Sequence, residues 1–189
     1  MTPLERAGKL KQEAYFLLNA LKLDEAFAPF GGLTIGGSCF LGVQAYPDLD
    51  VYVPPVPVEE YLKIRDQLAS HPLVTSVKFK ESDEAAFPGG LYLKPYIAYG
   101  GWQRPWKIDI WSAEPCYYEP QIAQLARWKK MLTEKLRAEI VAYKISILNE
   151  MHRTPMHSGY FIYRAFLDDG IREPAEVTRY LIQNGIEVR

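Results

Sequence analysis

The chain has 189 residues, 48 % of them hydrophobic and 24 % charged, with a formal net charge of −1. That is enough chain for one large domain or two small ones around a real core, and it excludes the overall positive field that would make nucleic acid or an anionic membrane a general partner. Two cysteines, Cys39 and Cys116, are too few for a disulfide framework and lack metal-ligand spacing, so a reducing compartment and a cytoplasmic location are expected.

No basic segment followed by an apolar run opens the chain, and no stretch approaches about eighteen uninterrupted apolar residues, so neither a leader nor a membrane span is expected. Thr2-Pro3-Leu4-Glu5 has the spacing of a capping box, with proline at the first helical position, and predicts a helix to about Lys22. Gly31-Gly32 interrupts the chain before a short strand, Leu33 to Ile35, that leads into Gly36-Gly37-Ser38. A second strand runs from about Asp48 to Val53 and is stopped by Pro54, Pro55 and Pro57, since proline donates no ladder hydrogen bond. A helix over Val58 to Ala69 follows. Three more runs read as strands, "LVTSVKFK", "LYLKPYIAY" and "WKIDIW"; Pro95 in the middle one points to an edge or a bulge.

Beyond Cys116 the pattern becomes helical. Ile122, Leu125, Leu132, Leu136, Ile140, Tyr143, Ile147 and Met151 recur at three-and-four spacing from Pro120 to about His152, one buried stripe on a helix long enough to contain a break. Two shorter helices, Gly159 to Leu167 and Pro174 to Gln183, close the reading, with Asp168-Asp169-Gly170 as the turn between them. The expected plan is a mixed α/β region over residues 1–115 and a helical region over 116–189.

Strand parity turns this plan toward chemistry. Asp48, Asp50 and Tyr52 share one face of their strand, and Leu49, Val51 and Val53 the other. Two carboxylates at i and i+2 repel when ionised, a cost that a divalent cation removes. In "WKIDIW", Lys107, Asp109 and Trp111 share a face while Ile108 and Ile110 point to the core. Three acids on adjacent strands could hold two magnesium ions roughly 3.5–4 Å apart, the arrangement used for in-line displacement at phosphorus. Glycines 36 and 37 allow a nucleotide's phosphates close to backbone N–H groups, and the Ser38 hydroxyl adds a donor.

Gly37-Ser38, nine intervening residues, then Asp48-Leu49-Asp50, with "KIDIW" further on, resembles the signature of the DNA polymerase beta-like nucleotidyltransferase superfamily, its minimal or antibiotic-modifying members included. The resemblance covers residues 1–115 and implies an α/β (α+β) fold, a mixed sheet flanked by helices. It implies that Gly37 and Ser38 hold the terminal phosphates, that Asp48, Asp50 and Asp109 bind two Mg²⁺ (or Mn²⁺) ions, and that Asp109 helps deprotonate the acceptor hydroxyl. The nucleotide expected is an NTP, ATP first. Several minimal members carry an arginine between the turn and the aspartates; Cys39 to Pro47 contains none, so phosphate charge has to be met from elsewhere. Lys107, on the face of Asp109, is the first choice ahead of Lys94 and Arg104, for each of which a solvated charge is the simpler reading.

The expected activity is transfer of a nucleoside monophosphate from an NTP to a hydroxyl of a small-molecule acceptor, releasing pyrophosphate. The alternatives are transfer to RNA or protein, as in toxin–antitoxin relatives, and a catalytically silent binding module that has kept the fold. Tyr92, Tyr96, Tyr99, Trp102 and Trp106 could stack a base, but core and edge packing explains them equally well. His71, before Pro72, reads as a turn residue, and His152 and His157 suggest no mechanism.

Overall fold

Thr2 opens the first helix as its spacing predicts. In the computed structural model, which describes residues 1–188, the Thr2 hydroxyl accepts from the Glu5 N–H at 3.2 Å and the Glu5 carboxylate from the Thr2 N–H at 2.7 Å. This reciprocal box satisfies two donors left over at the start of α1, Pro3–Ala20. A five-residue helix α2 (Leu23–Phe27) and a 3₁₀ turn (Ala28–Phe30) fill the connection to β1, Thr34–Ile35. Neither is long enough for periodicity to announce it.

After β1 come α3 (Gly37–Leu41), β2 (Leu49–Val53), α4 (Val58–Ser70), β3 (Val74–Glu81), β4 (Leu91–Ile97) and β5 (Trp106–Ser112). The strands form one mixed sheet in the order β1-β2-β5-β4-β3, in which β2 and β5 run parallel and the other neighbours antiparallel. Pro95 therefore does not mark an edge: β4 lies inside the sheet. The proline fits because the β4–β5 ladder lapses there, pairing Leu93 with Ile110 and resuming only at Tyr96 with Lys107, so its missing N–H falls where no bond is made.

The apolar parity of β2 and β5 holds. Leu49, Val51, Val53, Ile108 and Ile110 are fully buried and join Leu10, Leu17, Phe27, Tyr61 and Trp106 in a core beneath α1 and α4. The helical stripe divides into α5 (Pro115–Met131) and α6 (Glu134–Ser146). The chain leaves helical geometry at Leu132 (φ −75°, ψ 111°), and the Thr133 hydroxyl starts the next helix by accepting from the Leu136 N–H at 3.2 Å. Helices α7 (Ser158–Leu167) and α8 (Pro174–Gln183) complete the fold. A second core cluster joins these helices to Ala7, Leu41 and Val43 from the first part of the chain. No helix among the described residues is long and apolar enough to cross a membrane.

Candidate active site

Parallel pairing of β2 with β5 sets Asp50 directly beside Asp109 in register. Asp48 precedes β2 on the same face, at the level of Lys107, so the three acids and the lysine lie on one face of the β2–β5 pair. Lys107 is engaged by two of the acids. Its ammonium lies 2.9 Å from Asp48 Oδ1 and pairs with Asp109 Oδ2, bridging two of the three acids. Asp109 Oδ1 accepts from the Tyr92 hydroxyl and lies 3.3 Å from Lys94 Nζ, placed by the lapse in the β4–β5 ladder.

These contacts sort the acids. Burial alone would raise the Asp109 carboxyl, but Lys107, then Lys94 and Tyr92, hold it below the usual carboxylate range. Asp48 is raised by burial, with Lys107 opposing. Asp50 pairs with no cation within ion-pair distance among the described residues, and burial, then the charges of Asp48 and Asp109, push it up to about 8. Lys107 is held above its ordinary value: burial lowers it, and the two carboxylates outweigh that.

Among the described residues, no three His, Cys, Asp or Glu side chains converge in metal-ligand geometry. Lys107 supplies positive charge where such convergence would place a cation. The donor set nevertheless fits one. Asp48 Oδ1 is buried and, despite its ion pair, makes no aligned hydrogen bond, and the Asp50 carboxylate has no ion-pair partner among the described residues. Both are the hard oxygen donors that Mg²⁺ prefers.

The glycine turn has a second reason for lacking side chains. A Cβ on Gly36 would strike the Tyr52 ring, and one on Gly37 would strike Asp50 Oδ2. Gly37 also holds φ +53°, a left-handed conformation that glycine adopts without strain. The turn thus makes room first for the outward-facing side chains of β2. Ser38 sits in the first turn of α3, and its backbone carbonyl accepts from Val43 N–H at 3.0 Å.

Sequence reading missed Lys144 and Tyr163. Lys144, buried on α6, donates to the Val43 carbonyl at 2.9 Å and the Tyr163 hydroxyl at 3.2 Å. Burial lowers its ammonium to about 8, while Asp48 and Asp50 oppose the shift. A signal existed: Lys144 follows Ile140 by four residues, inside the apolar stripe, where a charge has to be buried. Gly37, Tyr52, Gln121, Trp128, Tyr160 and Tyr163 line a cleft of about 560 Å³ beside the acids. A roomier cavity of about 660 Å³ lies between Ile147–His157 and Gly185–Glu187 and contains none of them.

The aromatic run is mainly structural. Trp106 is fully buried, its indole and that of Trp102 donate to Glu13 at 3.0 and 2.6 Å, and Tyr99 stacks on Phe16 with centroids 4.7 Å apart. Within this run, Tyr92 alone hydrogen-bonds one of the three aspartates. His71 accepts from Leu73 N–H at 3.2 Å within its turn.

No protein-family model and no curated protein matches the chain. Solved structures do match in fold. The Cid1 poly(U) polymerase bound to MgATP superposes with a TM-score of 0.55 at 17 % identity, covering 80 % of this chain and 48 % of that one. The non-canonical poly(A) polymerase complex GLD-2–GLD-3 gives 0.55 at 16 %, over 82 % and 51 %. A cytoplasmic RNA terminal U-transferase gives 0.53 at 15 %, over 81 % and 46 %. The chain spans about half the length of these structures. Its β1-β2-β5-β4-β3 sheet, with the helices that cover it, is the nucleotidyltransferase fold that the Gly-Ser and Asp-x-Asp residues led us to expect.

Proposed function

We propose that this chain is a metal-dependent nucleotidyltransferase that moves a nucleoside monophosphate from an NTP to an acceptor hydroxyl. The observation that carries the reading is the register of Asp50 beside Asp109, with Asp48 on the same face, on a fold shared with a MgATP-bound polymerase. Asp48 and Asp50 would hold Mg²⁺, which when bound neutralises phosphate charge and the charge that develops in transfer. Gly37 and Ser38 border the triphosphate, and the aromatic cleft at Tyr52, Trp128 and Tyr160 receives the nucleoside. Asp109, already ionised by its cations, is the group suited to accept the acceptor's proton once Lys107 gives way. Two free cysteines, Cys39 and Cys116, fit the reducing cytoplasm.

For the acceptor, the net charge of −1 carries the small-molecule reading. The fold shared with a poly(U) polymerase and an RNA terminal U-transferase carries a second, an RNA end, and this is the better supported of the two.

Thermal unfolding tests the core of the proposal. Mg²⁺ with a non-hydrolysable ATP analogue should raise the melting temperature by more than the sum of the shifts from each alone, because the acids and the phosphates share the ion. Purely additive shifts would count against a shared site and favour the silent binding module.

A further inference from the structure

Arg104 is a charge that the site described so far leaves unexplained. It lies in the loop between β4 and β5, three residues before Lys107, and its Nε and Nη1 atoms are buried without a hydrogen-bond partner among the described residues. No carboxylate of those residues stands within ion-pair distance of it. What it does touch is apolar: its guanidinium carbon lies 5.1 Å from the centroid of Tyr46, two residues ahead of Asp48. Lys144 Nζ is 5.7 Å from the same ring, so two cations face the Tyr46 ring. The Tyr46 hydroxyl is engaged elsewhere, with Thr154 at 3.1 Å.

A half-buried guanidinium with two shielded, unmade hydrogen bonds is costly, and an anion arriving from outside would satisfy it. Arg104 also belongs to the wall of an open cavity of about 480 Å³, shared with Tyr99 and Trp102. Gly100 and Gly101, at φ +79° and +67°, form the turn beneath it. Trp102 is fixed by Glu13, so the wall beside Arg104 is rigid and aromatic while the charge is free.

We propose that Arg104 is the anion-recognising residue of an acceptor subsite next to the acids, taking a phosphate or carboxylate that the acceptor carries near the hydroxyl to be modified. A rotation of the guanidinium off the Tyr46 face trades a stacking contact for a forked, charge-assisted pair of hydrogen bonds. The anion site stands on the geometry of Arg104; its assignment to the acceptor rests on the nucleotidyl-transfer reading. It also answers the missing arginine between Cys39 and Pro47, since an arginine with no ion pair among the described residues, and whose charge is felt at Asp48, arrives from the β4–β5 loop instead.

Calorimetric titration of the full chain with three probes tests this: the dinucleotide ApA, which carries one phosphodiester; benzoate, a carboxylate on a ring; and adenosine, which has no anion. Wild type should bind an anionic probe about tenfold more tightly than adenosine, and Arg104→Gln should lose that preference while Arg104→Lys keeps part of it. Preference for ApA identifies a nucleic-acid end as the source of the anion, and preference for benzoate a small carboxylate. Because the charge is unpartnered in the free protein, Arg104→Gln should melt at or above the wild-type temperature, which no structural role for Arg104 predicts. A clearly lower melting temperature with unchanged anion preference overturns the proposal, as does a wild type that binds adenosine as well as either anion. The joint Mg²⁺–nucleotide shift is measured separately. Its absence beside an intact, Arg104-dependent anion preference supports the anion site and overturns only the transferase reading.

Discussion

The two faces of β2 and β5 are built from alternate residues of the same strands and solve opposite problems. On one face, Leu49, Val51, Val53, Ile108 and Ile110 are all at 0 % exposure and bring nothing that needs a partner. Each contributes the transfer free energy of its hydrocarbon, about 1.5–3 kcal/mol for a large side chain. On the other face, Lys107, Asp48 and Asp109 are nearly as deep, with side chains only 12 %, 14 % and 11 % exposed, and every one is charged. Ion pairing there roughly offsets desolvation at best. One face makes the fold stable, and the other is carried by that stability, which is how a site under functional constraint differs from a core.

The sharpest way to break the comparison is to neutralise one acid. Asp50→Asn should lower nucleotidyl transfer by about a thousandfold or more, as expected when a metal-binding oxygen is lost, while the metal-free protein melts at or above the wild-type temperature. The Asp50 carboxylate makes no ion pair in the fold and is repelled by Asp48 and Asp109, so removing its charge relieves the folded state. If Asp50→Asn unfolds the chain, the acid face is structural and the division between faces fails.

Lys107→Met asks what holds the acid face together without metal. Removing one partner of a buried pair costs about 3–5 kcal/mol, and here it strips the bridge from both Asp48 and Asp109. The variant should melt well below wild type in EDTA and recover more on adding Mg²⁺ than wild type does, since the ion then takes the place of the ammonium. Equal recovery in the two proteins would show that Lys107 and the ion do not compete for the same charge.

On the apolar face, Ile110→Ala should cost about 2–5 kcal/mol of stability with no recovery from Mg²⁺. Transfer per folded molecule, measured well below the melting temperature, should stay within about threefold of wild type, since truncation behind the strand leaves every charged group in place. A large loss of turnover in folded Ile110→Ala would mean the two faces are mechanically coupled.

How much of this was legible beforehand follows from the range of each signal. Period-two alternation placed Asp48, Asp50 and Asp109 on the site face and their neighbours in the core, because parity is local to a strand. Register between strands is not local, so the pairing of Asp50 with Asp109 needed the fold. Pro95 was read as an edge or a bulge; the sheet order removes the edge and shows a local lapse of the β4–β5 ladder instead, because a proline's effect depends on which neighbour lacks a bond. Lys107 was read as a phosphate contact because its face was visible and its partners were not. Arg104 was weighed only as a phosphate contact or a solvated charge, and Lys144 passed unread inside its apolar stripe, because what a charge packs against is visible only once the element is packed.

The last test follows the same contrast through pH, where Lys107 and Lys144 offset part, not all, of the burial and repulsion at Asp50. Burial, then the charges of Asp48 and Asp109, push the Asp50 carboxyl up to about 8 in the fold, against about 3.9 in an unfolded chain. Between those values the folded protein keeps a proton that the unfolded chain releases, so the stability from this group is fully present below about pH 4 and is lost as pH rises toward 8. Asp48, raised by burial, acts in the same direction. Asp109, held low by Lys107, acts in reverse, and its contribution disappears only below about pH 4. In EDTA the wild-type melting temperature should therefore fall between pH 5 and pH 8. Asp50→Asn, with no proton to lose at that position, should show a shallower fall. Ile110→Ala should start lower and keep the wild-type slope, because the apolar face holds no titrating group. An Asp50→Asn slope as steep as wild type would assign the pH dependence to another residue and remove Asp50 as the uncompensated charge of the site.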